Sequence, residues 1–207
     1  MQFFLHNQKK SSTFAGGMEE RYQTIAHSAE GLYKEKGSKF LAFAEPVSSV
    51  EEVRERLDYY RKTYHDARHV CYAYVVRDGE EPEKVTYVGR SSDDGEPSGT
   101  ARRPIMGRIE SAKLKNVLIV VVRYFGGILL GTGGLVVAYR EAAADALAHT
   151  EIIEKEITEI RTLRFPYEQM HTQMNSLKAA GARIIRQDWE GSDCVIECEV
   201  KMSYGRL

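Results

Sequence analysis

Two stretches of this chain carry residue types and spacings from which a chemical site could be built. The first runs Ser91-Ser92-Asp93-Asp94-Gly95-Glu96-Pro97-Ser98-Gly99-Thr100-Ala101-Arg102-Arg103-Pro104. It combines acids, turn formers and a helix start at Ser98 or Thr100. Open amides at such a start, with Arg102 and Arg103 beside them, suit a phosphate or carboxylate. Asp93, Asp94 and Glu96 could instead offer oxygen ligands to a hard cation such as Mg²⁺. An acidic turn running into a helix cap is the plainer reading of the same spacing.

The second stretch is Arg123-Tyr124-Phe125-Gly126-Gly127-Ile128-Leu129-Leu130-Gly131-Thr132-Gly133-Gly134. Its glycines permit positive φ and close backbone approach, and the helix it feeds points the positive end of its dipole at whatever lies there. Arg123 could hold an anion bidentately or pair with a carboxylate such as Asp94, while Tyr124 and Phe125 could stack on a base or fill the core. No Lys-Ser/Thr follows the glycines and the G-x-G-x-x-G spacing is absent, so neither nucleotide fingerprint is present. A tight structural crossover and an anion site fit equally well.

His69 and Cys71 stand two apart on a strand and share a face, the spacing of a Cys/His pair, although a satisfied polar group beside a buried thiol is the plainer reading. Cys194 and Cys198 also share a face, but about 13 Å of strand separates them, too far for a disulfide. No zinc spacing and no G-x-S-x-G elbow occurs, and no nucleophile comes with a committed base.

The elements that must position these groups can be read from hydrophobic period. Phe40, Ala42 and Ala44 alternate with Leu41 and Phe43, a strand covered on both sides. Ser48 with Glu51, and Ser49 with Glu52, have capping-box spacing, and Val53, Leu57, Tyr60 and Tyr64 then make one helical stripe. His69–Val76 is a strand with Tyr72, Tyr74 and Val76 on one face, turning at Asp78-Gly79 into a second strand near 85–88. Val117–Val122 is a central strand, and Leu135–Ala148 a helix with Val136, Tyr139, Ala143 and Leu147 on its packing stripe. Residues 151–165 are ambiguous, with Thr158, Ile160 and Thr162 favouring a strand. Pro166 opens a helix carrying Met170, Met174 and Leu177, Gly181 ends it, and a hairpin turns at Glu190-Gly191-Ser192.

This pattern predicts an α/β or α+β domain over 18–149 within an overall α+β fold, after a tail over 1–17 read as disordered and before a smaller β-α-β-β domain over 150–207 that reads as a ferredoxin-like unit cut short. Its sheet face carrying Cys194, Ile196, Cys198 and Val200 is expected to be partly open. The two loops each open a helix after a strand, so the turns at 98–103 and 131–134 are expected to share a groove.

The 207 residues hold 29 Lys+Arg against 30 Asp+Glu, with 43% hydrophobic residues, a balance suited to a folded protein with a sizeable core. Net charge of -1 lacks the basic excess usual in nucleic-acid binders, so any polyanion contact must be a local patch. No apolar run approaches the roughly 20 residues of a membrane span, three cysteines are too few for a disulfide scaffold, and the expected location is cytoplasmic.

The two loops and the strand between them resemble the signature of the YigZ/IMPACT family. The matching text is Asp94-Gly95-Glu96-Pro97-Ser98-Gly99-Thr100-Ala101, then Pro104-Ile105-Met106, Asn116-Val117, Arg123-Tyr124-Phe125-Gly126-Gly127, and Gly131-Thr132-Gly133-Gly134-Leu135 to Ala138-Tyr139. Ser38-Lys39-Phe40, Ala67, His69 and Cys71 also fit, so the resemblance covers residues 18 to about 200. It implies an N-terminal domain like domain 2 of ribosomal protein S5 and a smaller ferredoxin-like domain similar to one in elongation factor G. It also implies regulation of translation, the role of the eukaryotic relatives, with bacterial members lacking a settled activity. The chain departs from the family pattern at Arg102, Leu129 and Val137. Two cations thereby give way to apolar groups on the second loop and its helix, and one is gained on the first.

The expected function is therefore a non-enzymatic, translation-associated regulatory protein that binds RNA, the ribosome or a protein partner through the two-loop face, with no cofactor. An enzyme or sensor of a small phosphorylated ligand, with Mg²⁺ held by Asp93, Asp94 or Glu96, is the alternative. A purely structural partner-binding module is the third reading.

Overall fold

The computed structural model describes residues 21–78 and 85–201. The expected tail, Gly79 of the expected turn and the last six residues lie outside them. The central layer is a five-stranded antiparallel sheet in the order β2-β3-β6-β4-β5, formed by β2 (Ala29–Glu35), β3 (Ser38–Pro46), β6 (Val117–Tyr124), β4 (His69–Asp78) and β5 (Thr86–Ser92). β6 occupies the middle, which accounts for its unbroken apolar run: Val117 to Val122 are fully buried because helices cover both faces.

On one face lies α1 (Val50–Thr63), burying Val53, Leu57 and Tyr60 against Phe43, Val70, Tyr74, Leu118 and Val120. Ser49 is its N-cap, accepting from the Glu52 amide, while the Glu52 carboxylate reaches back to the Ser48 amide at 2.7 Å; the second of the two capping-box spacings is the one used. On the other face lie α2 (Arg102–Ser111) and α3 (Gly131–Ala148). The stripe of α3 is offset from the expected one: Leu135, Ala138, Tyr139, Ala142, Ala143 and Ala146 are buried, and Val136 and Leu147 only half so. Small residues dominate because α3 sits close on β2, where a Cβ on Gly31 would fall 2.3 Å from the Ala146 nitrogen.

The ambiguous stretch after α3 is two strands. β7 (Ile152–Glu156) turns back to pair with β1 (Arg21–Ile25), and β8 (Thr158–Pro166) enters a three-stranded sheet, β8-β10-β9, with β9 (Arg183–Glu190) and β10 (Asp193–Lys201). β8 and β9 both run antiparallel to β10 and are therefore parallel to each other, the split β-α-β arrangement, with α4 (Met170–Ala179) as the crossover. The expectation of an open face fails. Cys194, Ile196, Cys198 and Val200 are almost fully buried with Phe165 and Leu177, and the exposed apolar groups of this sheet are instead Ile160 on β8 and Ile184, Ile185 and Trp189 on β9.

Candidate functional site

Three antiparallel partners put the site on one sheet face. Phe40 of β3 and His69 of β4 both stand opposite Arg123 of β6, so their side chains emerge together on the face covered by α3. Arg123, 6% exposed, lies 5.4 Å from the Phe40 ring centroid and 5.7 Å from that of Phe125, a cation–π setting on both. Its Nη1 donates to Glu96 Oε1 at 2.5 Å, and the Tyr139 hydroxyl of α3 donates to the same oxygen at 2.8 Å. Arg123 is thus paired with Glu96 and not Asp94, in a cluster that locks both loops to α3.

His69 Nδ1 lies 2.7 Å from the Asp94 carbonyl. A carbonyl only accepts, so Nδ1 carries the proton, and Nε2 lies 3.8 Å from Glu96 Oε1. Cys71 is fully buried, its thiol donating to the Asp93 carbonyl at 3.0 Å, with the Tyr139 oxygen 3.4 Å from the sulfur. Burial pushes that thiol well above its ordinary range; the Tyr139 hydroxyl works the other way, and the carboxylates Glu96, Asp94 and Asp93 add to the rise. Burial disfavours the thiolate, and the thiol's partners are Asp93 and Tyr139 and not His69, so Cys71 and His69 are not assembled as nucleophile and base. Burial likewise raises the Tyr139 phenol.

The first loop answers its own anion site. Asp93 accepts from the amides of Gly99 (2.7 Å), Ala101 (3.0 Å) and Arg102 (2.8 Å), with Arg102 Nε also 3.0 Å away. Burial works against the charge, but these amides and Arg102 outweigh it and hold the carboxyl below its usual value. Gly99, at φ +79°, and Thr100, whose hydroxyl donates to the Pro97 carbonyl, curl the chain around Asp93, so α2 begins at Arg102 and not at Ser98 or Thr100. The amides expected to receive an external anion are occupied.

The proposed oxygen set for Mg²⁺ is not assembled. Asp93 faces α2, Asp94 accepts the Val70 amide, and Glu96 is buried against Arg123 and Tyr139. Among the described residues no three His, Cys, Asp or Glu side chains are grouped as a metal would need.

The second loop divides. Tyr124 belongs to the opposite face, packing on the α1 side with its hydroxyl donating to Asp66 at 2.9 Å, so it does not stack beside Phe125. Gly126 passes so close to the β2–β3 turn that a Cβ there would lie 1.9 Å from the Gly37 carbonyl carbon. Gly127 (φ +88°) and Gly131 (φ +71°) supply the turns into α3, whereas Gly133 and Gly134 are ordinary helical positions. Phe125, Ile128 and Leu129 are 41%, 56% and 83% exposed.

Between the loops lies a cavity of about 400 Å³ lined by Gly95, Glu96 and Pro97 from the first, by Phe125 and Leu129 to Thr132 from the second, and by Arg68, His69, Arg123 and Leu135. The shared groove therefore exists, but it engages Gly95–Pro97 and Gly131–Thr132. Ser98 is exposed outside it, and Arg103 lies against Gly99.

A family model described as the Impact N-terminal domain matches residues 36–147, more than half of the chain. The chain belongs to the IMPACT family. The matched region runs from the β2–β3 turn through α3, so this IMPACT segment contains both loops and every group of the buried cluster. The IMPACT family member YvyE of Bacillus subtilis is 32% identical over 157 residues, covering 76% of this chain and 70% of that protein. The family member YigZ of Escherichia coli is 34% identical over 155 residues, 75% of this chain and 74% of that one. Among solved structures, the crystal structure of a hypothetical protein superposes with a TM-score of 0.68 at 30% identity, covering 87% of this chain and 85% of that chain.

Sequence reading leaves Arg68 unremarked among the groups that shape the IMPACT site, and it places Tyr139 on a packing stripe and in the family signature without a polar role. A separate buried carboxylate, Glu45, also gave no signal: it takes both Arg56 and the Tyr60 hydroxyl on the α1 face.

Proposed function

We propose that this IMPACT family chain is a translation-associated regulatory protein that acts by docking a protein component of the translation machinery on its two-loop face. The observation that carries the reading is the exposed apolar run at Phe125, Ile128 and Leu129, set on a loop whose base is held rigid by Gly126 and the Arg123–Glu96 pair. Contiguous exposed apolar groups on an ordered loop favour a protein contact. Translation as the setting follows from what membership of the family implies.

Direct RNA binding is less well supported. Two of the loop cations are engaged, Arg102 with Asp93 and Arg123 with Glu96, and the chain has no basic excess. Co-sedimentation with ribosomes at rising salt tests the proposal, because apolar docking is little screened and phosphate contact is strongly so. Association is expected to survive added salt and to be lost in Leu129→Asp. Association that vanishes with salt and ignores Leu129→Asp, or no association at all, overturns the reading.

A further inference from the structure

The C-terminal sheet carries an edge that the two-loop face does not use. In the order β8-β10-β9, β9 has a neighbour on one side only, and all eight of its residues are exposed. Such a strand offers a row of backbone amides and carbonyls to any chain whose side chains match its own. We propose that the match is a second copy of this chain: two β9 strands pair antiparallel about a two-fold axis at Gln187 and join two three-stranded sheets into one of six.

The register follows from a bulge. Trp189 stands opposite Cys194 and Ile184 opposite Cys198, and both cysteines are buried on the face under α4, so both apolar groups belong to that face. Residues five apart on a regular strand point to opposite faces. Here the register shift beside Cys198 leaves Ile185 without a partner on β10 and brings Ile184 into line with Trp189.

With Ile185 and Arg186 sharing one position, a two-fold at Gln187 puts Ile184 opposite Trp189 of the second copy, Arg183 opposite its Glu190 and Arg186 opposite its Asp188, each contact occurring twice. Apolar meets apolar, and each charge meets its opposite on the same face. Within one copy Arg183 pairs with Glu199, Arg186 with Asp188 and Glu190 with Arg164, but the four β9 side chains are more than half exposed and can be shared across the new contact. Moving the axis one position either way sets Arg186 or Asp188 against itself. The other edge, β8, lacks this symmetry: paired about its middle residue Thr162, it would set Glu159 against Phe165, Ile160 against Arg164 and Arg161 against Leu163. The inference does not rest on the docking proposal, which concerns the other domain.

The test is sedimentation of the full chain across a concentration series, with two kinds of variant at exposed positions. The unaltered chain is expected to double its mass as concentration rises. Arg186→Asp and Asp188→Arg should each weaken self-association about tenfold or more, because like charges then face each other across the axis, and an equimolar mixture of the two should restore it. Gln187→Cys should form a disulfide-linked dimer under mild oxidation, since directly opposed Cα atoms lie about 4.5–5.5 Å apart. Arg183→Cys, about 20 Å from its own counterpart, should not. A chain that stays monomeric throughout, dimers indifferent to both charge variants, a mixture no tighter than its components, or equal cross-linking from positions 187 and 183 overturns the inference.

Discussion

Arg123 and Glu96, 27 residues apart in the chain, meet as a buried ion pair at 2.5 Å, and Tyr139 donates to the carboxylate oxygen they share. The contact fastens the loop leaving β6 to the loop entering α2, so the two loops are one structural unit. Removing one partner leaves the other as an uncompensated buried charge. Arg123→Met and Glu96→Leu are each expected to cost about 3–5 kcal/mol, and the double variant far less than their sum. Urea denaturation of the four proteins measures this; additive losses would show that the charges do not depend on each other.

Asp93 should impose a pH signature. Its carboxyl is held below the ordinary value in the folded chain, so its stabilisation is complete above the unfolded value of about 3.9 and fades as pH falls through the lower folded value. Asp93→Asn is expected to lose about 2 kcal/mol at neutral pH, the scale of hydrogen bonds to a charged group. That deficit should begin to close below about pH 4. A deficit independent of pH would mean that the charge on Asp93 does not matter.

Much of this arrangement was legible as hydrophobic period, and the exceptions share a cause. β3, β4, β6, α1 and α3 show because each meets its own stripe or run within a few residues. β2 does not: Gly31 is there for the approach of α3, and its alternating partly exposed residues lack an apolar run. β1 gains its meaning from β7, more than a hundred residues on. The site behaves similarly. The two loops were visible as unusual composition, but Asp93 caps α2 from nine residues upstream of Arg102, and spacing rules for caps look three residues away. Local spacing therefore offered those amides to an external anion when the chain's own carboxylate fills them.

The glycines of the two-loop region should separate by environment. Gly126→Ala places a Cβ against the Gly37 backbone and is expected to cost about 3 kcal/mol or more. Gly133 has nothing within 4 Å of a built Cβ and is helical, so Gly133→Ala should stabilise by about 0.5–1 kcal/mol. Thermal denaturation of the pair distinguishes them, and equal effects would contradict the close crossing at Gly126.

The three cysteines should be silent in the native chain. Cys71, Cys194 and Cys198 are all buried, and burial raises the thiols of Cys71 and Cys198. A thiol reagent at neutral pH is expected to titrate none of them natively and all three after denaturation. Rapid native labelling of Cys71 would reopen the nucleophile reading.

The most direct measurement of the docking surface is a photo-crosslink from position 129. Leu129 is replaced by benzoylphenylalanine, with the same replacement at exposed Lys178 on α4 as the control, and each full chain is irradiated in a translating cell extract. The prediction is a crosslink from position 129 to a protein of the translation machinery that position 178 does not form. Adducts with ribosomal RNA, adducts only with proteins outside translation, or the same products from both positions would contradict it.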